Sequence, residues 1–321
     1  MRNAITSRRG IVTLAVFAVI ASMPVLGPAL GQPFYVDVFT RVMIWGIAAV
    51  SLNFILGYGG MISFGHAAYL GLAGYTIGIM SDAGIDNGFL QWPVALAVCG
   101  LAALVIGAIC LRTRGLYFIM ITLAFGQMIF FLGVSSDRYG SNDGLPIYSR
   151  SEFKLGGAEL DLGNGTLFYY VTFVLLLASI YAVYRIVNSR FGMVIRGSKS
   201  NEARMNAIGV STYRYKLTAF VIAGVMCGVA GVLMANFERF VSPDTMDWPQ
   251  SGEMIFMVVL GGIGSLFGPV LGAAVFLLLS EFLSNIMESK NIIFGPFLIL
   301  VVLFARGGVN GLLGSRAERR G

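Results

Sequence analysis

Few side chains in this chain are equipped for chemistry. It contains a single histidine, His66, and three cysteines, Cys99, Cys110 and Cys227. One imidazole excludes a histidine-metal cluster, and no hydrolase motif surrounds it to make a nucleophile of its neighbour Ser63. His66 reads either as a buried hydrogen-bonding group or as the lining of a polar pathway. The cysteines have no C-x-x-C spacing and lie in apolar runs, so they read as small buried hydrophobes with neither a disulfide framework nor a metal site. "GMVIRGSK" at 192–199 approaches the phosphate-binding pattern G-x-x-x-x-G-K-[ST]. A serine separates Gly197 from Lys199, and no βαβ pattern surrounds the segment, so no nucleotide is expected there. Catalysis and cofactor binding are therefore not expected of this chain.

What remains are polar groups set in apolar surroundings. Asn53, Gln127 and Asn236 interrupt long hydrophobic runs, where an unpaired amide is costly and is often retained for function. An amide can equally bond to a neighbouring helix, and both readings stand. Glu281 in "LLLSEFL" reads as a carboxylate reaching an interface from a helix end. The scarcity of acids deep in the apolar runs argues against a carrier driven by protons or sodium.

The elements that hold these groups follow from composition. Hydrophobic residues make up 57% of the chain and charged residues 12%, against about 25% charged in soluble domains. Apolar runs at 11–30, 39–57, 61–80, 92–111, 115–134, 167–187 and 216–236 approach the roughly 20 residues needed to cross a bilayer. An almost continuous apolar region, 252–305, follows. Backbone amides within lipid must be satisfied inside the spanning segment, which favours helices. The expectation is an all-α polytopic transmembrane bundle over 1–321, one integral membrane domain with about eight to ten spans. Residues 1–32 could be a signal peptide, but their apolar run exceeds a signal h-region, so a retained first helix is expected.

The net charge of +6 is sorted along the chain and does not form a patch for nucleic acid. With the N-terminal Arg2, Arg8 and Arg9 inside, alternation places 112–114, 185–216 and 306–321 inside as well. Most of the basic residues fall in these segments, and both termini are expected in the cytoplasm. The outer segments are 135–166, an acidic, glycine-rich loop, and 238–253.

Two segments break the helical pattern. "LGYGGMISFGHAAYLGLAGY" (56–75) and "LGGIGSLFGPVLGAAVF" (260–276) both run apolar residues into Gly-Gly, a serine and Phe-Gly. They read as broken helices, as a diverged internal repeat, or as glycine-rich packing. Discontinuous helices often flank the substrate pathway of a transporter. Small-x-x-x-small spacing at Gly74/Gly78, Gly224/Gly228 and Gly264/Gly268/Gly272 favours close helix contacts. The basic segment 185–216 contains helix-compatible "NEARMNAI" closed by Gly209, a C-cap signal. It reads either as a compact elbow for docking a partner or as a basic loop that fixes topology and touches anionic lipid.

Four ordered blocks, "SLNFILGYGGMISFGHAAYLGLAGY" (51–75), "RGLYFIMITLAFGQMIFFL" (114–132), "SRFGMVIRGSKSNEARMNAIGVSTYRYKLTAFVIAG" (189–224) and "VVLGGIGSLFGPVLGAAV" (258–275), resemble the permease subunits of branched-chain amino acid ABC transporters. The likeness is to the longer of the paired permeases of the high-affinity leucine/isoleucine/valine system, and it runs from about residue 43 to 305. It implies a bacterial inner-membrane importer built from two permeases, this chain and a different partner chain, with two cytoplasmic ATPases and an extracytoplasmic solute-binding protein. The cytoplasmic loop, 188–215, would couple to the ATPase through Arg190, Phe191, Gly192, Arg196, Asn201, Glu202, Arg204 and Gly209. Glu202-Ala203 and Gly209 resemble the importer "EAA…G" pattern, with the glycine one place late and Arg204 for the second alanine. The substrate pathway would pass Asn53, Gly59, Gly60, Ser63, Phe64 and His66, then Gln127, and Gly261, Gly262 and Ser265. Related permeases carry urea, short amides or aromatic acids, and "YGSNDGL" in the outer loop departs from the family's usual turn. The alternatives are such a substrate, an ion-coupled carrier or a scaffolding subunit.

Overall fold

The computed structural model of the chain describes residues 8–29, 34–155, 158–286, 295–296 and 308. The remainder of the apolar region after 286, and the placement of both termini, lie outside the described residues. Helices dominate. They are α1 (Arg8–Ala29), α2 (Phe34–Asn53), α3 (Ala67–Asp82), α4 (Gly88–Cys110), α5 (Leu116–Val134) and α6 (Gly165–Val187), then the short α7 (Arg190–Ser200) and α8 (Glu202–Ala207), and finally α9 (Thr212–Glu238), α10 (Trp248–Gly261) and α11 (Gly268–Ile286).

Among the described residues, five stretches are long and apolar enough to cross a membrane: α2 with its extension to Tyr58, α4, α5, α6 and α9. Further apolar helices, α3 and α11 among them, pack in the same bundle. A helix apolar all round belongs in the interior, and α2 takes that place, against α6, α9, α10 and α11. Its Met43, Ile44, Ile47, Ala48 and Leu52 are fully buried. By contrast α5 leaves most of its surface exposed, including Tyr117, Met120, Met128 and Phe131. Asparagine side chains start two of the long helices as N-caps: Asn87 accepts from the Phe89 amide at 3.0 Å, and Asn164 from Thr166 at 3.1 Å.

Small residues let the helices approach. On α9, Gly224 faces Ala103 and Gly228 faces Cys99, both on α4. Gly268 and Gly272 bring α11 onto the backbone of α10. Gly74 and Gly78 differ from the expected helix-helix contact. They face Val241 and Leu145, which belong to a two-residue antiparallel ladder, β1 (Leu145–Pro146) on β4 (Phe240–Val241), with Leu145 opposite Val241. The ladder joins the two long loops at one end of the bundle. A hairpin of β2 (Glu152–Leu155) and β3 (Ala158–Asp161) lies in the first of these loops. Beneath it, Asn236 accepts from the Ser151 amide at 2.8 Å, and Ser151 donates to Gln91 at 2.5 Å.

Candidate functional site where two helix breaks meet the basic elbow

The first break begins as α2 widens into a π-helical turn, Phe54–Tyr58. Residues 59–66 are not helical, and α3 restarts at Ala67, so the apolar run 61–80 is a helix only in its later part. The physical reason is at Gly60, whose φ of +69° is open to glycine and strained for other residues. The Gly60 and Met61 amides turn back to Leu56 O (3.1 Å) and Ile55 O (3.0 Å). The far end of the break is held by side chains of other helices: the Phe64 amide donates to Thr122 Oγ1 at 3.3 Å, and the Ala67 amide to Ser251 Oγ at 2.9 Å.

In the second break α10 stops at Gly261 and α11 begins at Gly268. Gly264, with φ +75°, makes its turn. Asn53 joins the two breaks. Buried at 1% exposure, it donates from Nδ2 to Ser265 O and accepts from the Gly264 amide, both at 2.9 Å. The neighbouring Gly57 lies so close that a Cβ there would stand 2.6 Å from Gly264 N. The Asn53 amide thus ties together segments more than two hundred residues apart.

Other expected pathway residues fall differently. Gly59, Gly60, Gly261, Gly262 and Ser265 lie in or beside the breaks, and Ser265 Oγ donates to Gly262 O at 2.7 Å. Ser63 and His66 are fully buried. Ser51 donates to Ala48 O at 2.7 Å, which leaves its oxygen to accept from His66 Nε2 at 2.9 Å. Tyr69 meets the imidazole edge-on at 5.6 Å. His66 is therefore a pinned interior group, and it serves Ser51, not Ser63. Phe64 is half-buried, and Gln127 reaches away to Asp247 Oδ1 at 2.7 Å.

The basic elbow is formed by α7 and α8. Ser189 caps α7, accepting from Gly192 N at 3.4 Å, and Asn201 caps α8, accepting from Arg204 N at 2.9 Å. Gly209, φ +86°, follows the end of α8. Arg190, Arg196, Arg204 and Asn201 are exposed, Phe191 is half-buried and Gly192 is buried. Glu202 turns inward, pairing with Lys216 at 3.0 Å and Arg114 at 3.2 Å and accepting from Thr212 Oγ1 at 3.0 Å. Burial pushes its carboxyl up, but the Lys216 hydrogen bond and charge, the Thr212 hydroxyl and Arg114 together hold it below the ordinary carboxylate value. Lys199, at the end of α7, donates to Gly57 O at 2.6 Å. A cavity of about 490 Å³ lies between elbow and first break, lined by Gly59, Gly60, Phe118, Lys199, Glu202 and Lys216 among others.

Sequence reasoning missed Lys199, Arg114 and Lys216 as partners of the break and of Glu202. Lys199 stands in the sequence as one basic residue of the elbow and as part of a near phosphate-loop pattern, and neither reading points to a backbone carbonyl. At the loop end, a second cavity of about 360 Å³ is lined by Asp37, Arg41, Trp45, Glu238, Gln250 and Glu281 among others, with Arg41 paired to Glu238 at 3.4 Å. Neither Arg41 nor Glu238 was singled out from the sequence. Among the described residues no three His, Cys, Asp or Glu side chains gather to hold a metal ion.

A membrane-spanning helical bundle whose two broken helices meet beneath a polar elbow defines the class: a polytopic membrane transport subunit. The chain belongs to the family described as the permease component of the branched-chain amino acid transport system, matched over residues 34–305. It is similar to the high-affinity branched-chain amino acid transport system permease protein LivM of Salmonella typhimurium, 28% identical over 89% of this chain and 73% of that protein. It is also similar to LivM of Escherichia coli, 27% identical over 85% and 69%. The permease protein LivH of Escherichia coli is 28% identical over 83% of this chain and 91% of its own. No solved structure matches.

Proposed function

We propose that this chain is one of two permease subunits of an ATP-driven importer, and that its substrate is an aliphatic, branched-chain amino acid. Support for the substrate comes from the family and from the names of the relatives. The similarity to both LivM and LivH supports a partner permease that is a different chain of the same fold. Two ATPases would dock on the elbow from the cytosol, through Arg190, Phe191, Gly192, Arg196, Asn201, Glu202, Arg204 and Gly209. A solute-binding protein would deliver substrate to the loop end, 135–166 and 238–253. Both termini would be cytoplasmic, and the membrane a bacterial inner membrane. The chain supplies a pathway and no chemistry of its own.

The observation that carries the reading is the direct seat of the elbow against the first break, Lys199 on Gly57 at 2.6 Å, with the second break tied on behind by Asn53. Motion delivered to the elbow therefore arrives at irregular backbone, which a membrane protein tolerates where it is buried or lines a cavity. Switching access requires contacts that differ between two states, and the meeting of the two breaks is where this chain offers them. The pathway residues would be those at the junction, Asn53, Gly59, Gly60, Gly261, Gly262 and Ser265. Ser63, Phe64, His66 and Gln127 would set its walls from behind.

The test is uptake of leucine, isoleucine and valine into liposomes holding this chain, the partner permease and the ATPases, with the solute-binding protein outside and ATP at the elbow face. ATP-dependent accumulation that needs the binding protein is expected. Accumulation without ATPases would overturn the reading in favour of a self-sufficient carrier. Labelling of a cysteine placed at Asn206 from the external side would overturn the orientation.

A further inference from the structure

A helix end leaves its last carbonyls without intrahelical partners. At the end of α2, Ile55 O and Leu56 O are taken by Met61 N and Gly60 N of the break itself. Gly57 O is taken from outside, by the ammonium of Lys199. A cation suits this place, since the C-terminal end of a helix carries partial negative charge. The turn it meets is π-helical, a geometry that occurs mostly as short interruptions at functional sites. The lysine stem crosses Gly60, where a Cβ would stand 3.0 Å from Lys199 Cγ. Behind Gly57 lie the Gly264 amide and Asn53.

The partner is a neutral carbonyl, so no opposite charge holds the ammonium in place, and the lysine as a residue stays exposed at the elbow surface. The elbow is held separately to the start of α9, through Glu202 with Lys216 and Thr212. We infer that Lys199 is a positioning residue: the elbow presents its ammonium as a removable cap on the broken end of α2. Displacement of the elbow withdraws the cap and frees the π-helical turn, and with it both breaks, to change register. This rests on the transport reading above and adds to it the group through which the elbow acts.

The test uses the complete importer in liposomes and compares the unaltered chain with Lys199→Met and Lys199→Arg. Uptake of a leucine, isoleucine and valine mixture and phosphate release are read in the same vesicles. Lys199→Met is expected to hydrolyse ATP within about twofold of the unaltered complex yet to move roughly three- to tenfold less amino acid per ATP, and Lys199→Arg to recover most of that. Equal transport per ATP in Lys199→Met would overturn the cap, as would equal losses in Met and Arg variants. A second measurement needs no variant: the reactivity of the Lys199 amine, followed by mass spectrometry in nucleotide-free and ATP-trapped complexes. A change between the two states is expected, and identical reactivity would overturn the proposal. Failure of the unaltered complex to take up solute would instead remove the transport reading, and is read on a different sample.

Discussion

Asn53→Ala tests the junction of the two breaks most directly. The substitution deletes one donated and one accepted hydrogen bond, each 2.9 Å long, and leaves the Ser265 carbonyl and the Gly264 amide without their partner. Hydrogen bonds between helices in membranes contribute about 0.6 kcal/mol on average and about 1.7 at most, so two are worth roughly 1–3 kcal/mol. Gly264 and Ser265 are only half-buried, and water recovers part of the loss, which places the expected cost at about 1–2 kcal/mol. Unfolding titrations in mixed micelles read this cost, and liposome uptake reads its consequence. Asn236→Ala is the matched control, because it removes an equally buried amide that holds the Ser151 amide at the loop end. Both variants should lose comparable stability, while only Asn53→Ala should lose most of its transport. Equal transport losses, or an Asn53→Ala protein that unfolds like the parent, would refute the idea that this amide couples the breaks.

Gly192→Ala should break the turn into the elbow, since a Cβ there falls 2.5 Å from Ile186 O; copurification of the ATPases should be lost while the bundle stays folded. Glu202→Gln removes a pair in which Lys216 is 15% and Glu202 17% exposed; the Arg114 pair, 74% exposed on the arginine, adds little. A cost of about 1–2 kcal/mol is expected in thermal unfolding at neutral pH. Because the Glu202 carboxyl is held below its ordinary value, its stabilisation is complete above the ordinary carboxylate pKa and is lost as pH falls through the lowered one. Parent and variant should therefore differ at neutral pH and converge only in acid. Ser51→Ala leaves His66 Nε2 without its partner and should cost about 1–3 kcal/mol in the same unfolding assay, with uptake per folded molecule preserved.

Much of the fold could be read from hydrophobic runs alone, because a bilayer demands long apolar helices and these residues supply them. The Gly-Gly segments gave away the breaks, since few other residues populate the φ of Gly60 or Gly264. Their mutual contact was not legible: nothing in the neighbourhood of Asn53 announces partners at 264 and 265. Tertiary placement of His66 was not legible either: its burial against Ser51 and Tyr69 depends on residues that the local sequence does not point to. The Leu145–Val241 ladder is two residues long on each side, too short for an alternating pattern, so Gly74 and Gly78 looked like helix-packing residues. Lys199 was hidden for a different reason. Its local sequence imitates a nucleotide loop, and its true partner is a backbone carbonyl, which has no residue type to recognise.

The length of α9 has a mechanical consequence. It runs unbroken for 27 residues, about 40 Å, from the Glu202 anchorage at Thr212 to the strand that begins at Phe240. On its way it offers Gly224, Gly228 and Gly231 to Ala103, Cys99 and Leu70, so its neighbours seat closely along its flank. Such a rod carries force between the two faces of the bundle in either direction. A grip on the far loops thus meets the elbow along a rod that also lies against α2 and α3, on either side of the first break.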